Sequence, residues 1–493
     1  MEGHTTERDT RLERRNAMIK NGVSPYPARV QRTHTNLAVL EQFSELKKND
    51  ALITVVGRVR SRRLHGGSCF LHIEDGTSSL QVYLKKDIIG DASFSFFTDL
   101  IDIADFVEVT GKVFETKRGE KSVLAERARC ISKSLLPLPE KWHGLSDVEI
   151  RYRKRHLDLI VNAQVRSIFK KRSALYTSLR KFLESEGFLE VETPVLQSIP
   201  GGALARPFQT HHHALDTDLF LRVAPELYLK RLIVGGFERV YEISRCFRNE
   251  GIDHSHNPEF TQVELYAAYM DYQKLMELTE RLVHTLAEDI QHSSVIPYEG
   301  KEIDMTPPFV RMTFVEAMKQ FGKIDITNMN EQALYGALKE RGVKIDSSAS
   351  RAKMLDDGLK ELIRPQLIRP TFLIDYPIEL SPLAKKTEYS EKFTERFQLF
   401  IAGKEIGNAF SELNDPVDQY ERFAQQQKSR EQGDDETHQM DLDFIEALEQ
   451  GMPPTAGLGI GLDRLANLLT DTHSIKEVIL FPTLKPVPPE KPS

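Results

Sequence analysis

The chain has 493 residues, 40% of them hydrophobic, and sets 66 lysines and arginines against 73 aspartates and glutamates for a formal net charge of -7. That length allows two or three domains with substantial cores, and the charge balance excludes bulk attraction to nucleic acid, so any such contact must rest on a local patch. Cys69, Cys130 and Cys246 are too few and too scattered for a disulfide framework or a zinc site, and no apolar run of about 18 residues is present, which points to a cytoplasmic protein without a membrane partner.

Residues 1–50 read as a helical extension of mixed charge. Residues 51–135 carry five short strands, ALITVVGRVRS, SCFLHIEDG, SSLQVYLKK, DFVEVTGKVFETK and SVLAERARCIS, with room for a short helix between the third and fourth. Five strands in so short a span predict a small closed barrel. On the second strand Phe70 shares its face with Ser68, His72 and Glu74, and on the third Gln81, Tyr83 and Lys85 lie together. On an oligonucleotide-binding barrel that face stacks bases and reads their edges, although packing of Phe70 beneath a loop explains the pattern as well. Residues 136–160, proline-spaced at the start and basic at the end, read as a linker. From 161 to 486 helices and strands alternate: a helix near 165–186, strands in LFLRVA and ERVYEISRCFR, and a helical insertion over about 310–368. The tail 487–493 has no means of packing and reads as disordered.

The densest chemistry lies in RCFRNEGIDHSHNPEF, residues 245–260. It joins two strands of a predicted antiparallel hairpin, and the second places Phe260, Gln262, Glu264 and Tyr266 on one face with Thr261, Val263 and Leu265 on the other. A ring, an amide, a carboxylate and a phenol in a row make a poor core and a good ligand floor. Near the C-terminus, GLGIGLDRLANLL is a glycine-alternating strand running into a helix with Arg464 in its first turn. Those glycines serve close helix packing equally well, but paired with Arg248 the helix start becomes a polyphosphate clamp. Between them, FQLFIAGKEIGNAFSELND reads as a hairpin turning at Ala402 and Gly403, which makes Gln398 and Glu405 diagonal neighbours. Glu405 and Glu412, seven apart, fall on opposite faces of a regular strand, so their joint use demands a bulge or strand end between them.

Taken together these stretches resemble the class II aminoacyl-tRNA synthetases, and within them the lysine-specific branch, over nearly the whole chain. FRNEGIDHSHNPEF is similar to the second motif of that class, GLGIGLDR to its third, and GFLEVETPVLQSIPGG, with Pro194, to the first, which builds the dimer interface; APELYLKRL and GKEIGNAFSELND match the lysine-type versions. The resemblance implies an α+β fold: an antiparallel catalytic sheet flanked by helices, behind an N-terminal five-stranded OB-fold barrel that binds the anticodon. It implies that the chain makes lysyl-adenylate from ATP and L-lysine and charges lysine tRNA, as a homodimer with Mg²⁺. Arg248 and Arg464 carry the catalytic roles it implies. Glu250, His256, Asn257, Phe260, Glu405 and Ile406 join them around ATP, with the adenine between Phe260 and Arg464. Gly202, Glu226, Arg248, Glu264, Tyr266, Asn408 and Glu412 surround lysine, and magnesium is held through Glu405. A pocket with Glu226, Glu264 and Glu412 is strongly anionic and suits a dication, because buried carboxylates without a cationic partner are costly.

Two positions depart from the pattern. Gln398 stands where the family often places a magnesium-binding glutamate, so one metal is expected to bind less well. In the barrel, Phe70 and Gln81 keep two of the implied anticodon contacts, but Arg127 occupies the place of the third, and only a bulge brings Glu126 into it. The alternative to a ligase is a catalytically impaired relative that binds tRNA or lysine for regulation; it predicts loss of Arg248, Glu250 or Arg464, and all three are present. A relative that attaches a lysine-like group to a protein usually lacks the barrel.

Overall fold

The computed structural model describes residues 6–139, 145, 147–203, 205–347, 349–431 and 439–486, so the tail 487–493 lies outside the described residues. Two compact units divide at Ser146 and Asp147. In the first, strands β1 (Leu52–His65), β2 (Ser68–Glu74), β3 (Ser79–Lys85), β4 (Phe106–Glu115) and β5 (Lys121–Ser132) close into a barrel in the order β1-β2-β3-β5-β4. Period-two alternation decides what fills it: Cys69, Leu71 and Ile73 of β2 and Leu80, Val82 and Leu84 of β3 are buried inside, which turns Phe70, Gln81 and Tyr83 to the other face, where Phe70 and Tyr83 are partly exposed and Gln81 is only 8% exposed. Helices Glu7–Lys20, Asn36–Glu41 and Phe43–Lys48 of the N-terminal extension add Met18, Val39, Phe43 and Leu46 to the same core. On β5 the register slips: Ala125 pairs with Gly111 and Arg127 with Thr110, leaving Glu126 as the extra residue of a bulge. Gly111 has no room for a side chain there, since a Cβ would lie 2.0 Å from the Leu124 carbonyl oxygen.

The second unit is built on a mixed sheet of β6 (Leu189–Glu190), β7 (Arg239–Phe247), β8 (Glu259–Ala268), β9 (Val310–Thr313), β10 (Thr371–Pro377), β11 (Ser390–Ile401), β12 (Lys404–Ser411) and β13 (Thr455–Gly461), in the order β9-β10-β11-β12-β13-β8-β7-β6, with Lys386–Thr387 beside β11. The central pairs, from β10 through to β7, are all antiparallel. Val263 and Leu265 of β8, Phe397 and Leu399 of β11 and Leu458 and Ile460 of β13 pack on one side against helices Ala163–Ser185, Tyr272–Gln291 and Leu462–Leu469. Each fully buried side chain of this kind stabilises the fold by about 1.5–3 kcal/mol, so the sheet's register is strongly held.

Helices Phe314–Gln320, Glu331–Glu340 and Arg351–Gly358 form the insertion around their own core, including Met318, Leu338 and Leu355. Its first four residues are not helical as expected. Val310–Thr313 pairs in parallel with Thr371–Ile374 as the edge strand β9, and the helix starts only at Phe314, where Thr313 and Glu316 form a capping box. The second half of the segment read as a linker folds as helices Val148–Arg153 and Arg155–Val161 of the second unit, the latter running one residue past its expected end at 160. There the buried Arg155 ion-pairs with Asp158 at 2.8 Å and donates to the Lys476 and Leu480 carbonyls.

Candidate active site

The face of the sheet away from those helices opens into a cavity of about 370 Å³, within the usual range for a small-molecule site. Phe260, Gln262, Glu264 and Tyr266 of β8 line it in sequence, and Gly457, Gly459 and Gly461 of the neighbouring β13 line it beside them. The alternating glycines therefore lie on the cavity side of their strand. At Gly457 a Cβ would lie 2.2 Å from Glu412 Oε1 and 2.4 Å from the Tyr266 ring, so any side chain there collides with the floor.

One end is cationic and aromatic. The Arg248 guanidinium lies 4.9 Å over the Phe260 ring, and its Nε is buried with no hydrogen-bond partner among the described residues, a donor left for an anion. Arg464 donates from Nη1 to the Glu405 carbonyl and stands 3.5 Å from His256 Nε2, while His256 Nδ1 meets Asp253 at 2.9 Å. Glu250 and Asn257 also line this end, but the Asn257 amide is engaged locally, donating to the Glu259 carbonyl and accepting from the Thr483 amide. Asp463, beside Arg464, accepts from the Thr261 amide and ion-pairs with Arg172, which locks the helix start against β8.

The other end is acidic, and the sequence expectation needs one correction there. Glu226 and Glu264 line the cavity, and Glu412, 1% exposed, sits just behind it. The carboxylates are not without a cation: Lys230, fully buried, reaches Glu226 at 2.6 Å and Glu412 at 2.5 Å. Burial opposes the Lys230 charge, but Glu226 and Glu412 overcome it and hold the ammonium above its ordinary value. Glu264 instead accepts from Gln262 Nε2 at 2.5 Å and Tyr266 Oη at 3.1 Å, with no ion pair among the described residues. Burial, and then the charge of Glu226, push its carboxyl up to about 8. Gly202 closes this end at φ +86°, where a Cβ would lie 2.8 Å from that of Glu226.

The hairpin of β11 and β12 forms a third wall. Ile401 pairs with Lys404 and Phe400 with Glu405, but Leu399 pairs with Gly407, so Ile406 is a bulge residue. That bulge meets the demand made from spacing: it turns Glu405 to the cavity side with Asn408 and Phe410, while Ile406 enters the core. Gln398 and Asn408 are direct cross-strand partners. Arg396 Nε, which can only donate, takes Asn408 Oδ1 at 2.8 Å, and the buried Tyr376 hydroxyl gives its proton to Gln398 Oε1 at 2.5 Å. Both amides are thus left with NH₂ groups to offer. Arg396 and Lys230 escaped the sequence analysis, although Arg396 shares strand parity with Gln398 and Lys230 lies one helical turn after Glu226. As a magnesium site, this wall fits through Glu405, a partly exposed carboxylate with Arg464 3.9 Å away; Gln398 is the poorer donor, because it is neutral and its oxygen already accepts from Tyr376.

On the barrel, Phe70 stacks on Tyr83 with centroids 4.5 Å apart, and Tyr83 lies 5.7 Å from Phe114. The Gln81 amide donates to Glu120 and accepts from Ser122, both at 2.7 Å. Glu126 and Arg127, adjacent at the bulge, are both exposed. Phe114 and Glu120 are further members of this face that the strand patterns had not singled out.

Comparison with known proteins agrees with this architecture. The family described as tRNA synthetases class II (D, K and N) matches residues 147–485, and the OB-fold nucleic acid binding domain family matches residues 53–131. A lysine–tRNA ligase of Pelotomaculum thermopropionicum is 50% identical over 479 residues, covering 97% of this chain and 94% of that protein. One from Roseiflexus sp. is 51% identical over 482 residues, covering 97% and 98%, and one from Carboxydothermus hydrogenoformans is 48% identical over 477 residues, covering 97% of each. On this similarity the chain belongs to the lysine–tRNA ligase family of class II aminoacyl-tRNA synthetases.

Proposed function

We propose that this chain activates L-lysine with ATP as lysyl-adenylate and then transfers the lysyl group to the 3′ end of lysine tRNA. The observation that carries this reading is one cavity with a cation and an aromatic ring at one end, Arg248 over Phe260, and buried carboxylates at the other. Adenine stacks on Phe260 with Arg464 on its far side, and Glu250, His256, Asn257 and Ile406 border the nucleotide. Arg248 bridges the α-phosphate and the lysine carboxylate, so the carboxylate oxygen attacks phosphorus in line without a protein nucleophile. Glu226 and Gly202 lie at the α-amino group, Glu264 and Tyr266 at the side-chain ammonium, with Asn408 beside them and Glu412 behind. Glu405 is the carboxylate for Mg²⁺, which when bound with ATP neutralises charge on the phosphates.

Phe70 and Gln81 read the anticodon on the barrel face, and the bulge that exposes Glu126 supports its use for the middle base. The chain acts as a homodimer through the region around Pro194, where Leu189, Val195 and Leu196 are each at least 40% exposed. Lysine-dependent exchange of pyrophosphate with ATP, followed by charging of lysine tRNA, tests the reading. Both activities are expected; exchange without charging would indicate a relative that modifies proteins, and neither would indicate a regulatory binding protein.

A further inference from the structure

The acidic end of the cavity holds one cation of its own. Lys230 leaves the Glu226–Val234 helix inward, one turn after Glu226, and meets Glu412 arriving from the far end of the hairpin wall. Its ammonium is also 5.4 Å from the centroid of Phe410 and 5.8 Å from that of Phe444, so it is enclosed by rings as well as by carboxylates. A buried ammonium held by two carboxylates at 2.6 and 2.5 Å is not a spare group. It consumes charge that the sequence alone would assign to a bound amino acid.

Glu264 stands apart from that pair. Among the described residues its two oxygens accept only neutral donors, Gln262 and Tyr266, and it faces the cavity directly, whereas Glu412 is covered. The ionisable groups facing Glu264 come from every side. Tyr266 lies on its own strand, and Glu242 is directly across on β7, itself ion-paired with Arg222 at 2.6 Å. Cys246 bonds to Gln262, Glu226 and Lys230 come from the helix, Glu412 lies beyond Gly457, and Arg248 is the nearest cation toward the phosphate end.

We propose that Lys230 is the pocket's resident counter-ion: by occupying Glu226 and Glu412 it leaves Glu264 as the carboxyl that receives the ligand's side-chain ammonium, and binding that ammonium expels a proton from Glu264. The proposal rests on the lysine reading above. Before lysine arrives, a bare carboxylate at Glu264 would be buried beside the charge of Glu226, and burial first, then that charge, push its carboxyl up to about 8. Once the ligand ammonium docks, the ionised form is favoured. The proton leaves to solvent, and the site exchanges one positive charge for another. Because the complex binds fewer protons than the free site, affinity rises with pH up to the free-site value and then levels.

Calorimetric titration of L-lysine into the full chain, in phosphate and in Tris at equal pH, counts the protons. About one proton is expected to leave per lysine at pH 7, with affinity rising several-fold per pH unit below the free-site value and levelling above it. In Lys230→Met a second carboxyl must hold a proton in the folded chain, so stability is expected to fall more steeply than in the wild type as pH rises, while Lys230→Arg restores the wild-type dependence. Binding heats independent of buffer, with affinity flat in pH, overturn the proposal and leave the lysine reading standing. An unchanged pH dependence of stability in a folded Lys230→Met chain overturns the counter-ion role; if that variant does not fold, the wild type and Lys230→Arg decide. Absence of lysine binding at every pH removes the proposal together with the reading it rests on.

Discussion

Beside the acidic floor lies a buried ion pair whose removal has a calculable consequence. Arg222 Nη1 meets Glu242 Oε1 at 2.6 Å, with both side chains about 95% buried, and Glu242 is the direct cross-strand partner of Glu264. Arg222 also donates to the carbonyls of Arg245 and Thr193, and Glu242 accepts from the amide and hydroxyl of Thr193. At 2.6 Å and an effective dielectric of about 20, the attraction is about 6 kcal/mol before desolvation. In Arg222→Met the freed arginine is no longer desolvated, but Glu242 is left as an uncompensated charge in the interior. A net loss of about 3–5 kcal/mol is expected. Urea titration followed by circular dichroism measures it. The double variant Arg222→Met with Glu242→Gln removes the orphaned charge and should lose clearly less than the sum of the two single changes. A single-variant loss below about 1 kcal/mol, or strict additivity of the pair, would refute the reasoning.

Gly457→Ala places a methyl group 2.2 Å from Glu412 Oε1 and 2.4 Å from the Tyr266 ring, so it should raise the KM for lysine in pyrophosphate exchange while sparing that for ATP, at a stability cost of about 1–3 kcal/mol. Equal effects on both substrates would argue against the glycine face as the lysine floor. Gln398→Glu restores an acid beside Glu405 and is expected to lower the magnesium concentration needed for half-maximal adenylate formation; an unchanged requirement sinks the proposed effect of the amide. Phe70→Ala removes the ring that stacks on Tyr83 and should weaken tRNA in charging assays by about 1–3 kcal/mol without changing exchange. Glu126→Ala should erode discrimination at the middle anticodon base alone, and full retention of that discrimination would exclude its role.

How far the sequence could be read depended on how local the deciding interaction was. The β8 face of Phe260, Gln262, Glu264 and Tyr266 follows from strand parity, and the core accepts only the opposite register. The hairpin wall was legible as a demand rather than a position. Spacing requires a break between Glu405 and Glu412, but its place at Ile406 is set by pairing with Leu399 and by a core that takes the isoleucine. The edge strand β9 was missed because Val310–Thr313 becomes a strand only by pairing with residues some sixty positions later. Lys230 was hidden for a related reason. A glutamate and a lysine at i and i+4 usually form a weak surface pair, and only the arrival of Glu412 from β12 makes this one a buried counter-ion.

The distribution of donors and acceptors fixes how ligands must lie. Arg396 takes the Asn408 oxygen and Tyr376 the Gln398 oxygen, so the two amides of the hairpin wall present hydrogens, and Arg248 opposite holds an unused buried Nε. A wall of donors is matched by phosphate and carboxylate oxygens. The floor at Glu226 and Glu264 is matched by ammonium groups, and Glu405 is the carboxylate left on the donor wall for a hard cation. An amino acid with a second ammonium group therefore satisfies the cavity only with its carboxylate toward Arg248 and its side chain toward Glu264, which aims the carboxylate at the phosphate end. With aspartate the side chain would meet Glu264 and Glu226 with a like charge, and with asparagine it would leave the floor uncompensated. On the proposed reading, selection for lysine and orientation for attack arise from the same polarity, and the proposed counter-ion role of Lys230 sets how many of the floor's charges remain to be met.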